Sequence, residues 1–472
     1  MHLSTERTIA GDGERRAAGV GTVVTKPSQR RATRSTRFSL ALVALVVLLT
    51  LAGGVGAWLL PETPFQRDAG SVAAAAVFTS SYVALAIGRV PGLALDRAGV
   101  ALVGAALMVA CGALPLDEAY KAVDLDILTL LLGMMIVVAH LRLSGFFLVA
   151  SAWVVRRAHR PLMLLAAVTT IAGVFSAFLV NDTICLVLTP LVIDLVRPLR
   201  RNPIPYLLAV AMASNVGSTA TITGNPQNMM IGSLSHIAYA DFAANLAPVA
   251  MAGLMLTFVL IALLHRTEFG GGARFVPEPL PTRTNRALML RALAGVGVLV
   301  VVLFAGQPPA KAAIVIGGLL LLTRRVKSER VYTEIDWSLL LMFAGLFIIV
   351  AGAERTLLTG DLGETVAHLH LNTVPVLSVA TAVLSNVVSN VPTVLVLKPF
   401  VQALADQHTA WLTVAMASTL AGNFTVVGSI ANLIVIQVAA ARGIKIGFLD
   451  YFKVGAPLTV LTLTLGALWL WL

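Results

Sequence analysis

Long apolar runs separated by short polar connections occupy almost the whole chain after its first 37 residues. The run 38–60 has about the 20 residues that a helix needs to cross a bilayer core, and it lies too far from the N-terminus for a signal-peptide core. It predicts a first, peripheral span. Further spans are predicted near 71–88, 98–115, 125–140, 242–264, 287–306, 310–323, 337–353 and 449–472. The run 145–155 is too short to cross and ends in Arg156, Arg157, His159 and Arg160, the pattern of an interfacial helix.

Four apolar regions are broken at their centres. Residues 161–196 are interrupted by Asn181-Asp182-Thr183 and residues 374–405 by Ser389-Asn390-Val391-Pro392-Thr393, while 204–240 and 410–440 contain polar, Gly-rich stretches. Arg156, Arg157 and Arg160 precede the 161–196 segment and Arg197, Arg200 and Arg201 follow it, so the positive-inside rule puts both of its ends in the cytoplasm. Two arms of about 16 residues with a polar apex predict a re-entrant hairpin entering from inside. Around 374–405 the flanks are Glu354, Asp361, Glu364 and Asp406, with only Arg355 nearby, which predicts a hairpin entering from outside.

The expected fold is an all-α polytopic membrane protein with about 11 transmembrane helices and two re-entrant hairpins, its N-terminus cytoplasmic and its C-terminus outside. On that topology Arg67, Lys121, Lys311 and Arg355 fall outside and Lys398 falls in a hairpin arm, which leaves the other 29 of the 34 Lys and Arg in cytoplasmic segments. A multi-pass protein of the inner (plasma) membrane is expected. Five regions are expected along the chain: a disordered basic tail over 1–37, the first helix over 38–60, a first repeat over 71–264, a cytoplasmic linker over 265–286 and a second, inverted repeat over 287–472.

Composition agrees with the hydropathy pattern. Of the 472 residues 58% are hydrophobic and 12% are charged, with a mean hydropathy of +0.88. A soluble domain carries about 25% charged residues. The net charge of +11 sits between apolar runs, without aromatic interleaving along a groove, so it speaks for membrane orientation and against nucleic acid. Cys111 and Cys185 both lie in apolar segments and form no CxxC or zinc spacing. No cofactor is expected beyond a coupling ion, Na+ or H+.

The two halves match each other. Val210-Ala211-Met212-Ala213-Ser214 recurs as Val414-Ala415-Met416-Ala417-Ser418, and at the same offset of 204 Thr221, Gly224 and Asn228 fall on Thr425, Gly428 and Asn432. Asn181 and Pro190 fall on Asn390 and Pro399, and Asp124 and Gly133 fall on Asp336 and Gly345. The predicted topology turns each copy against the other. Inverted repeats with broken helices are the architecture of secondary transporters, which bind their solute between the repeats.

Irregular backbone at membrane depth is tolerated only where it lines a cavity or meets a ligand. The stretch Ser214 to Asn228 supplies hydroxyls and amides, with Gly217 and Gly224 permitting close approach and Pro226 keeping the break open. Gly422 to Asn432 offers the same in the second half. Half-helix N-termini present free N–H groups to an anion, and C-terminal carbonyls can coordinate Na+. Small residues also pack helices closely, which explains isolated Gly and Ser but not Asn and Gln clustered beside Pro.

Asp182 is the only acid expected near the midplane, where an ionisable group is costly unless it functions. Proton carriage and cation coordination both fit it, and so does a cap on the second hairpin arm. Lys398 fits an anion-attracting group or, eight residues past the tip, a side chain that snorkels to the outer interface. Cys185 alone is a poor metalloid ligand, and packing suits it better.

Val180-Asn181-Asp182-Thr183 through Thr189-Pro190, together with Ser214-Asn215-Val216-Gly217-Ser218 and Gly224-Asn225-Pro226-Gln227-Asn228, resembles the ArsB/NhaD permeases. These belong to the ion-transporter superfamily that includes citrate and sodium-coupled dicarboxylate carriers. The resemblance covers roughly 71–472 and implies alternating access by an elevator movement, a homodimer, and solute held between the hairpins and the unwound helices. By motif, the implied site is Asn181, Asp182, Thr183, Asn215, Gly224, Asn225, Asn228, Ser389, Asn390, Thr393, Asn423 and Asn432. The dicarboxylate carriers have Ser-Asn-Thr in both hairpins. Asn-Asp-Thr and Ser-Asn-Val-Pro-Thr here favour the arsenite-pump side of the family.

The function expected is secondary transport of a small inorganic anion or oxyanion, arsenite and antimonite efflux first. A Na+/H+ antiporter is the alternative, as is a Na+-coupled citrate or dicarboxylate symporter. No ATP-binding motif is present, so an ATPase energising an arsenite pump would be a separate partner. A membrane-embedded hydrolase would need a His/Asp/Glu constellation within the spans, and none exists.

Overall fold

The computed structural model describes residues 64–87, 95–157, 159–270, 284–357, 366 and 369–472. The expected tail, the expected first span 38–60 and most of the linker lie outside the described residues. So do Asp361 and Glu364.

The described residues form helices α1 (Pro64–Ile87), α2 (Arg97–Ala110), α3 (Leu116–Ala122), α4 (Leu125–Ser144), α5 (Phe146–Arg157), α6 (Pro161–Phe178), α7 (Asn181–Val196), α8 (Pro203–Ser218), α9 (Pro226–Ser235) and α10 (Tyr239–Leu264). After the short α11 (Arg266–Phe269) come α12 (Arg286–Phe304), α13 (Pro309–Leu321), α14 (Ser328–Tyr332), α15 (Trp337–Leu357), α16 (Val374–Val388), α17 (Asn390–Gln402), α18 (Gln407–Ala421), α19 (Ile430–Ala441) and α20 (Phe448–Trp471). Among the described residues there is no strand. Six of these helices are long and apolar enough to cross a membrane, while α2 and α13, at 14 and 13 residues, are shorter than their expected spans.

Sequence sets the helix ends. Proline, whose missing N–H costs nothing at a helix start, opens α6, α8, α9 and α13. Asp124 accepts a hydrogen bond from Ile127 N at 3.0 Å and Asp336 one from Leu339 N at 3.0 Å, so α4 and α15 begin on equivalent caps. α6 turns back through Leu179 and Val180 into α7, and α16 turns through Ser389 into α17. These are hairpins 1 and 2. Helix α6 is long enough to cross by itself, but that two-residue turn returns the chain to the side it came from. Between α8 and α9, and between α18 and α19, the helix is broken around the 3-10 turns Ile222–Gly224 and Val426–Gly428.

Chain ends that the charge pattern puts on one side meet each other. Arg142 pairs with Glu334, Asn285 N donates to Ser144 O, Asn202 N donates to Glu268, and Arg442 bridges to Asp194. On the opposite face Arg355 pairs with Glu118, His408 with Asp241, and Trp469 Nε1 donates to Asn245 O.

The helices pack as two sets. A framework consists of α1 to α4 and α12 to α15, and a carrier set consists of α6 to α10 and α16 to α20. In the framework the repeats exchange helices: α4 packs on α13 and α15 packs on α2. A Cβ on Gly133 would lie 2.5 Å from the Ala313 backbone, and one on Gly345 would lie 2.6 Å from the Ala101 backbone. The two crossings are the same crossing, since both residue pairs are 212 apart. Gly133→Ala is therefore expected to cost about 1–3 kcal/mol through overpacking against backbone that cannot yield. Thermal unfolding in detergent checks this, with Gly318→Ala, whose Cβ would meet nothing within 4 Å, as the neutral control.

Candidate functional site

The two broken helices enter from opposite faces and meet at their breaks. Helix α8 brings 16 residues from one side and α18 brings 15 from the other, roughly 24 and 22 Å at 1.5 Å per residue. Each break frees carbonyls that the helix can no longer satisfy, and a buried asparagine takes them up. Asn228 Nδ2 donates to Ser218 O and Thr221 O, both at 3.1 Å; Asn432 Nδ2 donates to Gly422 O at 2.7 Å and Thr425 O at 3.2 Å. Gly224 belongs to the same closure, because a Cβ there would sit 2.2 Å from Ser218 O.

From the breaks the side chains reach across the repeat boundary. Asn215 Nδ2 donates to Asn423 Oδ1 at 2.9 Å and to Asn432 Oδ1 at 3.0 Å, and its Oδ1 accepts from Asn181 Nδ2 and Ser429 Oγ, both at 3.1 Å. In the other half Thr419 takes the place of Asn215. Its hydroxyl accepts from Asn225 Nδ2 at 3.2 Å and Gln227 Nε2 at 3.3 Å and donates to Asn228 Oδ1 at 3.3 Å. Asn390 joins this half: with its amide nitrogen toward Ser418 O and Gly428 O, its oxygen accepts from Gln227 Nε2 at 3.1 Å.

Tertiary structure thus gathers Asn181, Asn215, Gly224, Asn225, Asn228, Asn390, Asn423 and Asn432 into two linked half-sites, all buried. Thr393 is buried too, but its hydroxyl is spent on Ser389 O at 2.9 Å, closing the hairpin 2 tip, where Ser389 adopts a left-handed φ of 82°. Asp182 and Thr183 turn elsewhere. They border a cavity of about 120 Å³ with Met135, Arg142, Glu334 and Asp336 of the framework side. Asp182 is therefore not the isolated acid that the sequence suggests, since hairpin 1 packs beside the start of α15, where Glu334 and Asp336 lie. Nor does it cap: Val180 is the cap residue of α7, with no side-chain bond, and among the described residues no group donates to the Asp182 carboxylate.

Not every group in the half-sites is spent. Asn181 Oδ1 is buried and has no hydrogen-bond partner among the described residues. Unpaired buried acceptors cost about 1–3 kcal/mol and mark places where a solute or water completes the structure. Among the described residues no three His, Cys, Asp or Glu side chains gather as a metal site. Thr419, Ser429, Gln227 and Ser385 escaped the motif-based expectation. The repeat offset of 204 from Asn215 and Asn225 points to the first two, and Gln227 lies within the Gly224–Asn228 motif.

Inverted repeats whose broken helices and hairpin tips converge on a buried polar centre define a multi-pass membrane transporter. The family model described as citrate transporter (CitMHS) matches residues 82–421, and the chain belongs to that family. It is 30% identical over 428 residues to the 46 kDa membrane protein of Mycobacterium leprae, covering 85% of this chain and 98% of that one. It is 29% identical over 450 residues to the silicon efflux transporter LSI3 of Oryza sativa, covering 80% and 93%. The crystal structure of the Alcanivorax borkumensis YdaH transporter shares the fold, with a TM-score of 0.55 at 15% identity over 93% of this chain and 97% of that one.

Proposed function

We propose that the chain is a secondary active transporter that exports a small hydroxylated inorganic solute, an arsenite or antimonite-type oxyanion or its undissociated acid first, by alternating access coupled to H+ or Na+. One observation carries this reading: the half-sites are built from neutral amides and hydroxyls that both donate and accept, and among the described residues no ionised side chain is hydrogen-bonded into them. A compact solute bearing several O–H groups complements such a lining, and Asn181 Oδ1 is free to accept one of its protons. The similarity to a relative named a silicon efflux transporter supports export of a hydroxylated inorganic solute.

Asp182 is the group proposed to couple transport to a proton or cation, because it is a carrier-side acid that has no hydrogen-bond partner among the described residues and lies next to the framework boundary. Na+-coupled citrate transport is the second reading. The family description favours it, as do the N-termini of α7, α9, α17 and α19 near the breaks, whose partial positive charge suits carboxylates. A Na+/H+ antiporter is a further alternative that rests on Asp182 alone. A homodimer in the plasma membrane, with a cytoplasmic N-terminus and an external C-terminus, is part of the proposal.

Expression in a host lacking its own metalloid exporters tests the reading. Resistance to arsenite and antimonite is expected to rise, with faster loss of preloaded arsenite. Citrate uptake that depends on Na+, with no change in metalloid tolerance, would transfer the assignment to the second reading.

A further inference from the structure

The two hairpins hold equivalent places in the repeats, yet they meet the framework differently. Tyr82 of α1, buried, donates from its hydroxyl to Pro392 O at 3.4 Å, on the second arm of hairpin 2. Further along that arm Lys398 Nζ lies 3.7 Å from Glu354 Oε1 of α15, with each side chain 28% exposed. Lys398 therefore neither snorkels free nor stands ready as an unpaired cation. The other four ion pairs among the described residues close within one helix set, and no other side-chain hydrogen bond among them joins a hairpin to the framework.

Among the described residues hairpin 1 has no counterpart to these ties. At the hairpin offset of 209, Pro392 corresponds to Thr183, which borders the 120 Å³ cavity instead of a framework donor. Lys398 corresponds to Thr189, whose hydroxyl bonds back to Cys185 O at 2.6 Å. At the framework offset of 212, Glu354 corresponds to Arg142, which is taken by Glu334 of the framework itself.

We propose that Tyr82, Lys398 and Glu354 form a two-point latch that docks hairpin 2 on the framework and positions the carrier set in this state. Hairpin 1 stands beside an open cavity while hairpin 2 is held. Release of the latch uncovers the hairpin 2 tip, and its re-formation returns the carrier to one register. A partly hydrated ion pair suits a latch of this kind, because it is weak enough to break in every cycle and its charges reject misaligned partners. The inference rests on the alternating-access reading, but not on the identity of the solute.

The test uses the full chain in proteoliposomes, with Cys111 and Cys185 replaced by Ala and a single cysteine introduced by Val391→Cys at the hairpin 2 tip, where the valine is buried. The rate of labelling by a membrane-impermeant maleimide reports release. Lys398→Glu or Glu354→Lys alone, which sets like charges against each other, is expected to raise labelling roughly ten-fold, and Tyr82→Phe roughly three-fold. The double swap Lys398→Glu/Glu354→Lys is expected to return the rate to within about two-fold of the parent. Arsenite counterflow is measured on the same vesicles. Labelling that is unchanged in the single variants, or as fast in the double swap as in the singles, overturns the latch. Labelling that follows the expected pattern without arsenite flux keeps the latch and rejects the solute.

Discussion

Asp182→Asn is expected to abolish proton-driven transport, lowering flux under an imposed pH gradient by roughly 100-fold or more, while the protein still folds and inserts. The second half of that expectation follows from the site. The Asp182 carboxylate accepts no hydrogen bond among the described residues and does not cap α7, so an amide of the same shape leaves no protein group unpaired. What changes is charge at the boundary between the sets. Asp182 shares its cavity with Asp336 and the Arg142–Glu334 pair. A carboxylate that gains and loses its charge there alters the balance among those groups; an amide cannot. Proteoliposome flux with and without a pH gradient, beside solute exchange at equal pH, separates loss of coupling from loss of binding. Wild-type flux under the gradient would remove Asp182 from the mechanism.

Asn215→Ala is expected to have the largest structural effect of any single change in the site. It strands Asn181 Nδ2, Asn423 Oδ1, Asn432 Oδ1 and the Ser429 hydroxyl at once. A single buried unsatisfied group costs about 1–3 kcal/mol, so a loss of at least about 2 kcal/mol is expected, with solute flux near background. Asn215→Thr installs the residue found at the equivalent position, Thr419, and is expected to recover part of the stability because its hydroxyl still donates and accepts. Thermal unfolding with and without solute, together with counterflow rates, provides the check. An Asn215→Ala protein that transports normally would show that solute does not pass the Asn181–Asn215–Asn432 cluster.

These two residues also mark how far the sequence can be read. Asn215 belongs to a motif and has a repeat partner at a fixed offset, so its place beside a helix break was legible. Its four hydrogen bonds were not, because three of them cross to residues more than 200 positions away and depend on two breaks meeting end to end. Asp182 was legible as an acid in an apolar segment, but its companions were not. Hydropathy treats Glu334 and Asp336 as loop and cap residues, and only the packing of hairpin 1 beside the start of α15 puts them in its cavity.

Sequence alone determined the transporter class, the broken helices, the hairpin turns and the pairing of the repeats, because each is written in local terms: apolar run length, the polar residues that interrupt a run, and the proline that starts a helix. The equivalent caps at Asp124 and Asp336 belong to that local code, as does the recurrence of Gly133 as Gly345. Tertiary structure alone decided how the near-equal halves differ in use. Pro392 and Lys398 are tied to the framework where Thr183 and Thr189 are not, and Asn215 also bonds to its own hairpin tip at Asn181 where, among the described residues, the Thr419 hydroxyl bonds only to the opposite repeat. A repeat offset says which residues are equivalent, but contact across a boundary depends on what the other side presents, and only packing brings the two sides together.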